Sequence, residues 1–177
     1  MKELFRKVVI ILITIAVLIG GTVLVFTHTG YDQSAQGSNQ LIAAIKDNDA
    51  QKVIDVIKQY PQSVNALPTT SPWWWQLLSE SPQVYYPLQV ACYIGNNEMI
   101  KLLIDNGADV NLVYKGIEGS KPPLTLSIFS QSETRLENVK LLVESGADKT
   151  IQDNAGKTAY DYAVENGFSD LAELLKT

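Results

Sequence analysis

The chain opens on an uninterrupted apolar run and then changes period. From Val8 to Phe26 no residue is charged, and nearly all are Val, Ile, Leu, Ala, Thr or Gly. As a helix this run reaches roughly 28 Å, close to the thickness of a bilayer's hydrocarbon core. It predicts one transmembrane helix over 8–26, with a short N-terminal stretch 1–7 before it. Tyr31 to Asn39 is polar and predicts a tether over 27–38. Beyond it the spacing turns helical. Leu41, Ile42, Ala44 and Ile45, then Val53, Ile54, Val56 and Ile57, mark two amphipathic helices.

An internal period organises the rest of the chain. Tyr86-Pro87-Leu88-Gln89-Val90-Ala91, Pro122-Pro123-Leu124-Thr125-Leu126-Ser127 and Thr158-Ala159-Tyr160-Asp161-Tyr162-Ala163 start 36 residues apart. Each precedes a second helical phrase: Met99 to Ile104, Val139 to Val143, and Leu171 to Leu175. Two of these end in a turn, Asn106-Gly107-Ala108-Asp109-Val110-Asn111 and Ser145-Gly146-Ala147-Asp148. With these phrases in phase, the sequence resembles the ankyrin-repeat family. That family's pattern is a Thr-Pro-Leu-His-x-Ala start, a glycine between two short helices, a Leu-Leu pair and a Gly-Ala-Asp-x-Asn turn. Asp153-Asn154-Ala155-Gly156-Lys157-Thr158-Ala159 also resembles the turn into a new repeat.

The resemblance runs over roughly 38–177 and implies an all-α solenoid of about four repeats. They divide as 39–66 (an N-terminal cap), 67–85 (an aromatic insertion), 86–121, 122–157 and 158–177 (a C-terminal cap). The physics agrees with it. Proline in the first helical turn sacrifices no needed hydrogen bond, and glycine is favoured where a helix ends or the chain reverses. Each copy has an apolar face that only stacking can bury. The paired leucines fill the space between repeats, and Leu102 and Leu141 are expected there.

The array departs from its own period in three places. From Leu41 to Leu88 is 47 residues, against 36 for later copies. The excess contains Trp73, Trp74 and Trp75, followed by Tyr85 and Tyr86. The resemblance implies that loops here are fingers beside a binding face, and Trp and Tyr are enriched at binding hot spots. Three readings of the tryptophans stand side by side: contact with a partner, packing on the repeats, and insertion at a membrane interface. A second break, 114–121, brings Tyr114 and Ile117 into another finger. A third, 130–137, lengthens the turn of one repeat where glycine is missing. Such loops are often merely tolerated insertions.

Composition narrows the function. Lys2, Arg6 and Lys7 precede the apolar run, and the next lysine is Lys46. This asymmetry places the N-terminus in the cytoplasm and the repeats on the exported side. A cleaved signal peptide is the rival reading, but its apolar region is normally shorter. Net charge is −5 and no basic cluster exists in the body of the chain, which argues against nucleic acid and fits a basic protein partner. The single cysteine, Cys92, rules out an internal disulfide and tilts the source toward bacteria. The single histidine, His28, falls in the tether, so neither a Ser-His-Asp nor a Cys-His mechanism is available, and zinc-ligand spacing is missing.

The expectation is therefore a non-enzymatic, cofactor-free module that binds a protein partner, anchored through 8–26 to the inner membrane with its repeats in the periplasm. The most concrete form is an inhibitor or immunity protein that neutralises an envelope-acting toxin or enzyme. The alternative is a scaffold for an envelope complex, and a lesser one is an accessory of an envelope stress-response enzyme.

Overall fold

A computed structural model of the chain describes residues 33–68, 85–113 and 121–176. Among them the fold is all-helical. Four helix pairs succeed one another: α1 (Gln33–Lys46) with α2 (Ala50–Gln59), α3 (Pro87–Ile94) with α4 (Asn97–Asp105), α5 (Pro123–Ile128) with α6 (Arg135–Glu144), and α7 (Ala159–Glu165) with α8 (Ser169–Leu175). A 3₁₀ turn, Pro61–Asn65, closes the first pair. The first helices α3, α5 and α7 begin at Pro87, Pro123 and Ala159 and keep the 36-residue period. No helix among the described residues is long and apolar enough to cross a membrane. The run 8–26, read as such a span, lies outside them.

Capping residues set the helix starts. Asp49 accepts the Lys52 N–H at 2.9 Å ahead of α2, and Asn96 accepts the Met99 N–H at 3.1 Å ahead of α4. Thr158 and Asp161 cap α7 reciprocally, the Asp161 N–H donating to Oγ1 of Thr158 and the Thr158 N–H to Oδ2 of Asp161. At the C-terminus of α3, Gly95 adopts φ 81°, which glycine enters without the Cβ penalty. The corresponding turn after α5 has no glycine. There the Arg135 guanidinium folds back, and both Nε and Nη2 donate to the Ser130 carbonyl, closing the loop with a side chain.

First helices pack on first helices (α1 on α3, α3 on α5, α5 on α7), and second helices likewise (α4 on α6, α6 on α8). One apolar core runs through the stack, including Leu41, Ile45, Val53, Ile100, Leu103, Ile128, Leu142 and Leu175. The stacking register is visible in its last member. Leu88 and Leu124 are buried, yet Tyr160, in the same place on α7, is partly exposed; Cys92 and Ile128 are buried, yet Val164 is exposed.

Two details differ from the sequence reading. Residues 33–38, assigned to the tether, form the first turns of α1. Ala35, Gly37 and Ser38 are buried there, and Ser38 donates to the Ala66 carbonyl at 2.8 Å. A Cβ on Gly37 would stand 2.5 Å from the Tyr60 Cβ, so this face packs by being small rather than apolar. The paired leucines also exchange roles. Leu103 and Leu142 are fully buried, whereas Leu102 and Leu141 are half-buried. At 3.6 residues per turn, Leu103 points midway between Met99 and Ile100, and Leu142 midway between Asn138 and Val139. Their predecessors fall outside those arcs.

The turns are stapled by asparagine. Asn65 donates to the Gly107 carbonyl at 2.8 Å and accepts the Asp109 N–H at 2.8 Å. Asn111 repeats this one unit on, donating to the Gly146 carbonyl at 3.2 Å and accepting the Asp148 N–H at 2.8 Å. Asp109 and Asp148 hold the N–H groups two residues ahead, as expected of turn aspartates. Thr150 takes the third place in this series, and there Lys149 instead donates to the carbonyls of Leu174 and Lys176.

Candidate interaction face

The residues that precede each first helix, and those near its end, form a register of their own. Tyr85 and Tyr93, Lys121 and Phe129, and Lys157 and Glu165 are three pairs, each eight residues apart and each 36 residues from the next. Members of every pair interact. Tyr93 raises the pKa of Tyr85, after burial and against the opposing charge of Lys121. Lys121 Nζ lies 5.6 Å from the centre of the Phe129 ring. Lys157 Nζ pairs with Glu165 at 2.6 Å.

The middle of this row is the most ordered in chemical terms. Lys121 Nζ donates to Asp153 Oδ2 at 2.6 Å and to the Tyr162 hydroxyl at 2.8 Å, and that hydroxyl donates to Asp153 Oδ2 at 2.6 Å. The ammonium also sits 4.5 Å from the centre of the Tyr162 ring, which meets Phe129 edge-on at 5.0 Å. Oδ1 of Asp153 accepts the N–H groups of Ala155 and Lys157. Burial opposes ionisation of this carboxyl, but Lys121, Tyr162 and the two N–H groups outweigh it and hold its pKa at about 2. Burial likewise works against the charge of Lys121, and the same partners reverse that effect and raise its pKa.

This cluster gives stability a pH dependence of definite sign. The folded-state pKa of Asp153 is depressed below its unfolded value of about 3.9, so its contribution is present above that value and is lost as pH falls through about 2. Lys121→Met strips the carboxylate of its cation in a buried place, and a loss of roughly 3 kcal/mol is expected at pH 6. The gap between wild type and variant in urea denaturation should shrink steadily from pH 5 to pH 2. A gap independent of pH would mean that the pair adds nothing beyond packing.

The site residues read from the sequence divide sharply. Trp73, Trp74, Trp75, Tyr114 and Ile117 lie outside the described residues. Tyr85 and Tyr86 lie inside and are half-buried. Tyr86 is structural in its backbone: its N–H donates to Gln89 Oε1 at 2.8 Å, and Gln89 Nε2 donates to the Lys121 carbonyl at 2.8 Å, tying one repeat to the next. Tyr85 packs against the core from the interaction face. The sequence reading missed Tyr93 and Ile94, which are 56 % and 41 % exposed on α3. A tyrosine beside an isoleucine at the end of a first helix, just before Gly95, was the available signal.

Among the described residues no group of three or more His, Cys, Asp or Glu side chains is placed to hold a metal ion. Cys92 is fully buried, and burial pushes its thiol pKa upward. Residues 88–177, just over half of the chain, match the family described as Ankyrin repeats (3 copies). The chain belongs to the ankyrin-repeat family. Ankyrin repeats are protein–protein interaction modules, typically without enzymatic activity of their own.

Similar stretches occur in longer proteins. Ankyrin repeat and SOCS box protein 6 of Homo sapiens is 37 % identical over 86 residues, 48 % of this chain and 20 % of that protein. E3 ubiquitin-protein ligase hecd-1 of Caenorhabditis elegans is 30 % identical over 131 residues, 74 % of this chain and 4 % of that protein. ARF GTPase-activating protein GIT2 of Mus musculus is 38 % identical over 81 residues, 46 % of this chain and 11 % of that protein. The chain thus spans a fifth or less of each relative's length. All three are eukaryotic and lend no support to the bacterial source expected from composition.

Proposed function

We propose that this ankyrin-repeat protein is a membrane-tethered binding module whose first-helix row seats on a protein partner, and that it acts as an inhibitor of one exported, envelope-acting enzyme or toxin. The observation that carries the reading is the row itself. Exposed Tyr93 and Ile94 stand in the same row one repeat ahead of the fixed Lys121–Asp153–Tyr162 cluster, so the row offers both apolar anchors and preorganised polar groups. The apolar run from Val8 to Phe26, with Lys2, Arg6 and Lys7 just before it and no basic residue after it until Lys46, supports a tether with the repeats on the exported side, the periplasm of a bacterial cell.

The test is capture by the full chain, carrying a C-terminal tag, from envelope extract and secreted protein, read by mass spectrometry. One exported enzyme in stoichiometric amount, lost with Tyr93→Ala, is the expected result. A set of resident envelope proteins, held regardless of Tyr93, would replace the inhibitor reading with a scaffold.

A further inference from the structure

Among the described residues the exposed large apolar side chains are Tyr93 and Ile94, in the row, and Tyr160 and Val164, 37 % and 53 % exposed on α7. The second pair marks the C-terminal end of the stack. Tyr160 stands 36 and 72 residues after Leu124 and Leu88, and Val164 stands likewise after Ile128 and Cys92. All four of those earlier residues are buried. The two positions are exposed only in the last repeat, so their cover in the others comes from the repeat that follows. Hence α7 turns outward the same face by which α3 receives α5 and α5 receives α7. The face continues onto α8, where Ala172, two periods after the fully buried Ile100, is only half-buried. A terminal repeat is expected to show water a polar outer face, and this one shows Tyr160, Val164 and Ala172.

Charge decides what can cover that face. The chain carries −5, which opposes self-association in general. Beside Tyr160 and Val164, however, neither sign is in excess. Glu165 of α7 pairs with Lys157 at 2.6 Å, and Asp161 caps Thr158. On α8, Glu173 stands 3.9 Å from Lys176, while Asp170 lies at the turn and lines a cleft with Ser132 and Arg135. The occupant therefore has to match the face in apolar shape rather than in net charge, and a second copy does so. Tyr160 and Val164 are one helical turn apart and share one side of α7. When a second α7 lies antiparallel across a twofold axis, Tyr160 of each copy meets Val164 of the other, large against small, as an isologous contact requires. Glu173 and Lys176, of opposite sign on one helix, suit the same symmetry.

We propose that this end of the stack binds a second copy of the chain, tail to tail about a twofold axis, with the two α7 helices antiparallel. The interface continues the stacking core from one chain into the next. Tyr93 and Ile94, two repeats away on α3, take no part in it.

Sedimentation equilibrium of the full chain in a mild non-ionic detergent, over a series of concentrations, tests it. Wild type should pass from monomer to dimer and stop there. Val164→Glu and Tyr160→Lys should each weaken dimerisation roughly tenfold or more, because each places an unpaired charge in an apolar contact. Mixing the two variants in equal amounts should restore the dimer, the introduced carboxylate of one copy facing the introduced ammonium of the other. Both positions are exposed, so urea midpoints close to wild type should show that the variants still fold. A wild type that stays monomeric, or a dimer indifferent to both charges, would overturn the proposal. Association that continues past two copies, or a mixture that stays monomeric, would overturn the twofold arrangement.

Discussion

Leu103→Ala and Leu142→Ala are each expected to cost roughly 2 to 5 kcal/mol, whereas Leu102→Ala and Leu141→Ala should cost only about 1 kcal/mol. Both members of each pair are leucines in the same helical turn, so the contrast isolates burial from composition and propensity. Leu103 and Leu142 are fully enclosed between neighbouring helix pairs, and truncation there leaves a cavity that close packing cannot collapse. In a repeat array the loss also spreads, because the interface with the next repeat is weakened along with the repeat itself. Total stability of a domain this size is on the order of 5 to 15 kcal/mol, so either change takes a large share of it. Urea denaturation of the four variants decides the matter. Equal losses within each pair would mean that the second helices are rotated away from the orientation that encloses Leu103 and Leu142.

The second large effect is expected at Gly95. Its φ of 81° already disfavours any other residue, at about 1 to 2 kcal/mol. In addition, a Cβ there would lie 2.0 Å from Ser130 Oγ and 2.5 Å from Ser132 Cβ, inside the lengthened turn that Arg135 closes. Thr134 Oγ1 donates to the Gly95 carbonyl at 3.0 Å, so that turn is held against the glycine rather than free to withdraw. Gly95→Ala should therefore cost roughly 2 to 4 kcal/mol, conformational strain and overpacking together. Gly107→Ala is the control, since its φ of 87° is similar but nothing lies within 4 Å of the added methyl. Thermal melts of the two variants separate the contributions. If both fall equally, the 130–134 turn gives way at no cost and the overlap is irrelevant.

These contrasts mark how much was legible in the sequence. The 36-residue period, the proline starts and the turn phrases were plain, because they depend on local spacing and on residues with special backbone properties. The choice within each leucine pair was not, because it needs the helix's rotational phase, which Met99, Ile100 and Val139 fix only once the helices are packed. The first two turns of α1 were hidden for another reason. Gln33 to Ser38 carries small and polar residues, and it is buried through the close approach of Gly37 to Tyr60, a contact that hydropathy does not register. The interaction face was half visible. Aromatic runs drew attention to Trp73–Trp75 and Tyr85–Tyr86, while the lysine–aspartate–tyrosine cluster joins Lys121, Asp153 and Tyr162 from three successive repeats and appears only when they stack.

The early start of α1 also fixes a length. With helix beginning at Gln33 and the proposed membrane span ending at Phe26, six residues lie between them. Fully extended they reach about 20 Å, roughly the length of α1 itself. In the proposed tethered arrangement, a leash that short would turn the search for a partner from a three-dimensional one into an encounter within a thin layer above the bilayer. A partner confined to the same layer would meet the module at a raised local concentration, so a modest intrinsic affinity would suffice there. The same affinity would leave a freely diffusing copy of the repeats mostly unbound. On that proposal the tether would select where binding happens, independent of what the binding face recognises.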